Sequence, residues 1–383
     1  LHSPHTLTHR TTELLQGSFI PALEDPSRIT SILTTLSPHR TITTIPSPQS
    51  YTLTTAIPRI HESRYLHHLQ TIHHQWLSSG LLTSPSQTVL PDCFPPINRA
   101  LVGIDTHGIE PPECVSARAG YYMFDMSAGV GEHTWDAALA SADLAVRGAQ
   151  LWVSRNNDDG GHSDPGVVLA LCRPPGHHCA ADIAGGYCYL NNTAIAVAEL
   201  LSHLSPDPSI FHTSPITRLP TLSQPPAETP QITILDLDYH HGNGTQKLFY
   251  AVSNPGYISL HSTHDYPYYS GHPSERGSSS GMGYNVNIPL PDGTTITPYL
   301  TALDNALDQI ETWGTEWVVV SLGLDTMEGD PLGRWGLKVG DYEVLGRRVG
   351  RLRAVKKRGV LVVLEGGYRV DGLGEGVGAF LRG

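Results

Sequence analysis

Cysteine is scarce in this chain. The 383 residues hold five, at Cys93, Cys114, Cys172, Cys179 and Cys188, an odd number with no C-x-x-C pair. That excludes a disulfide framework or a structural zinc knot as the organising device and suits a reducing compartment. Long apolar runs are also missing. No stretch approaches the roughly 20 residues of a membrane-spanning helix, and the opening LHSPHTLTHR lacks the apolar core of a secretory signal. An intracellular location, cytoplasmic or nuclear, is therefore expected, with no membrane partner. Basic residues are the minority, 24 Lys+Arg against 36 Asp+Glu for a net charge of -12. This balance argues against direct nucleic-acid binding and admits a cationic substrate. Internal repeats are absent.

What is present is a set of short, β-branched apolar runs: 167–172 (VVLALC), 232–237 (ITILDL), 317–324 (WVVVSLGL) and 360–364 (VLVVL). Near-continuous apolar runs of this length suit strands buried on both faces, as in a parallel sheet covered by helices. Helical periodicity separates them at 134–149, 191–203 and 341–355, so α and β alternate in a doubly wound, three-layer α/β/α arrangement. The first ninety residues, including a helical stretch at 60–77, read as peripheral layers. One domain is expected over 1–383, with loop insertions near 91–120, 154–166 and 205–230, the last carrying seven prolines.

Each buried run ends in residues that do chemistry. The four ends are RPPGHH (173–178), DLDYHHGN (236–243), the Asp325 of LGLDTMEGDP, and EGGY (365–368). Ligands of open α/β sheets bind at the carboxyl ends of the strands, so the four termini should converge on one crevice. Alternation along a strand lets Asp236, Asp238 and His240 share a face. Asp238, His240 and the strand-end Asp325 then make an Asp/His/Asp metal cradle with a fourth position left for water, the arrangement of a catalytic zinc site. A lone strand-end Asp is commonly a helix cap; three beside tandem histidines are not explained that way. His177 and His178 supply bases that need not be ligands. Asp236 and Asn243 are the two acceptors available to hold them, and because an Asp favours the imidazolium while an Asn only orients the ring, the two histidines should differ in basicity. Gly366 and Gly367 permit a close backbone approach, and the Tyr368 hydroxyl can donate to a developing oxyanion.

Together these residues resemble the histone deacetylase and acetylpolyamine amidohydrolase superfamily, which has an arginase-like α/β fold. The resemblance runs from the N-terminal segment through HESRYL (61–66), GYYMFDMSAGVGEHTW (120–135), RPPGHHCAADIAGGYCYLNN (173–192), ILDLDYHHGNGTQ (234–246) and SLGLDTMEGDPLG (321–333) to VVLEGGY (362–368). GYYMFD, LGLDTMEGDP and EGGY are more similar to the acetylpolyamine amidohydrolase branch than to nuclear histone deacetylases, and Asn243, where nuclear enzymes usually carry Asp, agrees. The resemblance implies a metal-dependent deacetylase of acetylated amines or acetyl-lysine. It implies one zinc per chain on Asp238, His240 and Asp325, His178 as general base and acid, His177 as electrostatic partner held by Asp236, and Tyr368 as oxyanion donor. It also implies a structural potassium ion at Asp236, Asp238, His240, Ser259 and Leu260. Substrate-channel walls are implied at Tyr187, beside Gly186, and at one of Tyr268 or Tyr269. Glu110 and Glu113 fall where that branch carries acids for cationic substrates, and a homodimer is expected.

Two other readings remain. A dinuclear manganese ureohydrolase shares the fold but needs further bridging carboxylates, and Met327 stands two residues after Asp325. A protein lysine deacetylase acting in a corepressor complex shares every motif. The pairs His67-His68 and His73-His74 lack the i, i+4 spacing of a helical metal site and fit a solvated helix face.

Overall fold

The computed structural model describes residues 1–94, 110–157, 166–213 and 219–383. The chain opens with an antiparallel hairpin, β1 (Thr12–Leu15) and β2 (Ser18–Pro21). Helices α1 (Ser27–Leu36), α2 (Ser63–Ser78), α3 (Val115–Tyr121) and α4 (Thr134–Asn157) follow, then β3 (Val167–Ala170) and α5 (Asn192–Leu204). A small hairpin, β4 (Phe211–Thr213) and β5 (Pro220–Leu222), precedes β6 (Ile232–Asp236), α6 (Asn243–Phe249), β7 (Gly256–Ser262), β8 (Asn285–Leu290) and α7 (Ile296–Thr312). The chain finishes with β9 (Trp317–Leu322), α8 (Asp341–Val349), α9 (Arg353–Arg358), β10 (Val360–Leu364) and α10 (Val370–Arg382).

Six strands form one wholly parallel sheet in the order β3-β10-β9-β6-β7-β8. The continuous apolar character of β6, β9 and β10 follows from their place in its middle, where every residue is buried. Alternate residues serve opposite faces. Ile232, Ile234, Val319, Leu361 and Val363 pack with Ala138, Ala142, Val197 and Leu200 of α4 and α5. Leu235, Val318, Val320, Val360, Val362 and Leu364 pack with Ile29, Leu303, Leu345 and Val377 of α1, α7, α8 and α10. Helix, sheet and helix are thus the three layers expected. Among the described residues no helix is long and apolar enough to cross a membrane.

The structure departs from the sequence reading in several places. Strands β7 and β8 carried no continuous apolar signal, because Ser259 and His261 interrupt the first and two asparagines and Pro289 the second; an edge strand tolerates such a proline. The helix expected over 341–355 breaks at Gly350, with α8 and α9 on either side. Helix α4 runs to Asn157, so the insertion expected at 154–166 begins as helix, and the one at 205–230 contains the β4–β5 hairpin. Parts of the three expected insertions, at 95–109, 158–165 and 214–218, lie outside the described residues. The N-terminal segment is not merely peripheral. Helix α1 packs on α10, and its Arg28 is wholly buried, donating to the backbone oxygens of Gly367 (2.6 Å) and Glu365 (2.5 Å).

Candidate active site

The carboxyl ends of β6, β9 and β10 meet around one point. Ligand atoms of Asp238, His240 and Asp325, all buried, lie within 4.8 Å of one another. His240 Nδ1 is 2.9 Å from Asp325 Oδ2 and 3.3 Å from Asp238 Oδ1. Backbone amides hold the carboxylates in place. Gly366 N–H donates to Asp238 Oδ2 (2.8 Å) and Tyr239 N–H to Asp325 Oδ1 (3.0 Å). A Cβ on Gly366 would fall 2.3 Å from Asp325 Oδ2, so only glycine lets β10 close over the carboxylates.

This donor set fits a divalent cation. Burial, then the neighbouring Asp238 carboxylate, pushes Asp325 up to about 7. Burial also acts against charge on Asp238, yet His177 and His240 hold that carboxyl below its usual range. His240 is raised well above the ordinary imidazole value because Asp238 and Asp325 outweigh its burial. Two buried carboxylates and an imidazole at this spacing need shared positive charge, and one carboxyl would otherwise keep its proton. Two oxygens and one nitrogen match the ligand types of catalytic zinc or ferrous sites.

The tandem histidines follow β3 in the RPPGHH turn and receive different partners. His177 Nδ1 lies 3.2 Å from Asp236 Oδ2, and His178 Nδ1 lies 2.8 Å from Asn243 Oδ1. Burial disfavours charge on His177, but Asp238 and Asp236 override it and raise the ring to about 10. For His178 burial acts first and the positive His177 and His240 add to it, lowering it well below the usual value. The rings sit 4.0 Å apart between centroids, and their surroundings push one toward the charged form and the other toward the neutral.

Tyr368 is buried, and burial raises its phenol well above the ordinary value despite the opposing charge of Arg28. The turn that carries it is fixed from two sides. Asp330 Oδ2 accepts from the Tyr368 and Arg369 amides (2.6 and 2.9 Å), and the Arg28 guanidinium lies 5.0 Å over the Tyr368 ring. Behind it, Glu24 binds both Arg28 (2.7 Å) and Arg173 (2.9 Å) in a buried triad. The Glu365 side chain turns back to accept from the Gly176 and His177 amides (2.7 and 3.2 Å), tying the end of β10 to the histidine turn.

Tyr187 lies 5.5 Å from Tyr368, ring to ring, and a Cβ on Gly186 would strike the His178 ring at 2.2 Å. The second wall needs correction. Tyr268 and Tyr269 are 67% and 87% exposed, whereas Tyr266 packs edge-on against His178 at 4.8 Å and stands 5.9 Å from His240. Tyr266 is half-buried, its hydroxyl reaching inward to Asp125 (2.6 Å). Glu110 is exposed and pairs with Arg64, and exposed Glu113 is engaged through its backbone carbonyl by Arg118 (2.7 Å). For the potassium expectation, Asp236 and Ser259 are in register on β6 and β7, Leu260 is buried next to them, and the Ser259 hydroxyl lies 2.9 Å from His261 Nδ1.

Sequence reasoning missed Arg28, Glu24, Glu13, Asp125, Asp330 and Tyr257. The Tyr257 hydroxyl donates to Asp236 Oδ2 (2.9 Å), completing the environment of His177. Asp330 lies in the LGLDTMEGDP run and Asp125 closes the GYYMFD run, while the other four lie in no strand-end motif.

The family profile of the histone deacetylase domain matches residues 22–207 and 221–383. The chain is 34% identical over 372 residues to acetylpolyamine amidohydrolase 2 of Pseudomonas aeruginosa, covering 97% of this chain and 93% of that one. It is 32% identical to acetylpolyamine amidohydrolase of Mycoplana ramosa, covering 99% and 97%. The fold superimposes on the crystal structure of acetylpolyamine aminohydrolase from Burkholderia pseudomallei with a TM-score of 0.79 at 28% identity, covering 99% of this chain and 97% of that one. With its parallel sheet, its Asp/His/Asp cluster and its paired histidines, the chain belongs to the histone deacetylase family of hydrolytic deacetylases.

Proposed function

We propose that this protein is a zinc-dependent amidohydrolase that removes acetyl groups from small acetylated amines, acetylpolyamines being the preferred class. The observation that carries the reading is the convergence of Asp238, His240 and Asp325 beside two histidines held by different partners, Asp236 and Asn243. The near full-length similarity to proteins named acetylpolyamine amidohydrolases supports the substrate class.

A zinc ion on Asp238, His240 and Asp325 supplies Lewis acidity toward the acetamide carbonyl and the attacking water. The chain's own groups move the protons. Because Asn243 Oδ1 accepts from His178 Nδ1–H, the lone pair of His178 is on Nε2, and burial beside the positive His177 ring favours its neutral form. His178 takes the water proton and returns it to the departing amine. His177, paired with Asp236, keeps its charge and steadies negative charge developing nearby. The Tyr368 hydroxyl, protonated throughout, donates to the carbonyl oxygen as it becomes an oxyanion. Acetate and a free amine leave. A structural potassium ion on oxygens of Asp236, Asp238, His240, Ser259 and Leu260 and a homodimeric assembly belong to the same reading.

Steady-state hydrolysis of N-acetylputrescine and N-acetylspermidine against an acetyl-lysine peptide, with zinc-loaded enzyme and Tyr368→Phe as the blank, tests it. Faster turnover of the small amines is expected. A preference for the peptide would make the protein a lysine deacetylase, and no turnover above the blank would overturn the reading.

A further inference from the structure

Both walls of the crevice are phenols, and each phenol is turned onto a carboxylate. The Tyr187 hydroxyl lies 2.8 Å from both oxygens of Glu13, which the β1–β2 hairpin brings in from 174 residues away. The Tyr266 hydroxyl donates to Asp125 Oδ2 at 2.6 Å, and the same oxygen accepts from the Gly186 amide at 2.9 Å. Glu13 is only 1% exposed, a costly place for a carboxyl whose partners are two hydroxyl contacts and the Leu23 amide. Tyr187 also sits at φ +62, directly after Gly186 at φ +55. A tyrosine in the left-handed region costs on the order of 1 kcal/mol, and such strain persists where the surroundings over-determine it. Here the determinants are Glu13 at the hydroxyl end and Asp125 at the Gly186 amide.

The consequence is electrostatic. A phenol donating to a carboxylate gains electron density, so its π face attracts a cation more strongly than a phenylalanine wall would. The carboxylates behind the rings add negative potential to the crevice. A plain acyl chain gains nothing from this, whereas an amine with a second positive charge does. In N-acetylputrescine a four-carbon spacer separates the amide nitrogen from that second ammonium.

We infer that Glu13–Tyr187 and Asp125–Tyr266 form a cation-selective throat, and that Glu13 and Asp125 are specificity-determining residues for acetylated amines carrying a second ammonium. The inference rests on the deacetylase reading above and deepens it.

The test compares kcat/KM for N-acetylputrescine with that for its neutral isostere N-pentylacetamide, in which a methyl replaces the ammonium. Glu13→Gln and Asp125→Asn each keep an acceptor for the phenol and remove the charge. Each should lower the cationic-to-neutral ratio about tenfold, and Glu13→Asp, which keeps the charge, should return it toward the wild-type value. Thermal melts confirm that each variant is folded, and should Glu13→Gln not fold, Asp125→Asn carries the test alone. If both substrates slow in proportion, the carboxylates only position the phenols and the throat is overturned. Wild-type enzyme that hydrolyses neither substrate would overturn the deacetylase reading, and the throat with it.

Discussion

The site is built from two halves assembled by different means. The cradle half comes from strand ends: Asp238 and His240 lie two and four residues past the end of β6, Asp325 three past β9, and Gly366 two past β10. The wall half comes from whatever segments can reach: the β1–β2 hairpin, the Asp125 loop, the Gly186-Tyr187 turn and the stretch around Tyr266, tied by hydrogen bonds spanning 61 to 174 residues. The lesson is that the parallel sheet dictates where the chemistry sits, while long-range polar contacts decide what the crevice admits. Damage to the cradle should abolish turnover; damage to the walls should change selectivity.

The largest effect is expected in the cradle. Asp325→Ala leaves the cation only Asp238 and His240 as ligands. Turnover should fall on the order of a thousandfold or more, and metal content after dialysis, read by elemental analysis, should fall with it. A variant that keeps both metal and rate would remove Asp325 from the ligand set. Next comes Tyr368→Phe, which deletes the hydroxyl and little else, since the amide of residue 368 stays with Asp330. The expected loss is roughly 100- to 1,000-fold in kcat with KM nearly unchanged, as for an oxyanion donor; a loss confined to KM would assign the hydroxyl to substrate binding instead.

Arg28→Ala stands between the halves. The guanidinium joins helix α1 to the carbonyls on either side of Gly366 and pairs with Glu24 in a buried setting. Removing it leaves Glu24 with Arg173 alone and the Tyr368 turn unsupported. A loss of about 3 kcal/mol of stability is expected from breaking a buried ion pair, measured by chemical denaturation, with kcat falling roughly 10- to 100-fold as for loss of a supporting partner. Unchanged stability would show that Arg173 suffices for Glu24.

That partition also explains what could be read in advance. Apolar runs with polar endings revealed β6, β9 and β10, the three-layer arrangement, and the four loops that converge, because a strand buried on both faces has little choice of composition. Strand β7 and the edge strand β8 escaped because one carries Ser259 and His261 and the other asparagines and a proline. The pairing of His177 with Asp236 and of His178 with Asn243 could be framed as a choice of two acceptors, and its resolution needed the geometry. Tyr266 was passed over for Tyr268 and Tyr269 because nothing local in that run marks which ring turns inward; the partner that decides it, Asp125, is 141 residues away. Glu13 and Arg28 act wholly through tertiary contacts and left no local pattern.

The smallest effect sharpens the division of labour between the two histidines. On the proposed mechanism His178 serves as the base in its neutral form, which burial and the positive His177 ring favour while its partner carries no charge. Asn243→Asp changes only that partner. A carboxylate 2.8 Å from Nδ1 favours the imidazolium, so the folded-state pKa of His178 rises. Less of the base is then free at a given pH, and the acid limb of kcat/KM moves to higher pH while the plateau falls modestly. The opposite shift cannot come from this substitution, since added negative charge never lowers an imidazole. An acid limb that stays in place would mean that His178 does not carry the titrating proton, and His177, raised to about 10 by Asp238 and Asp236, titrates too high to stand in for it.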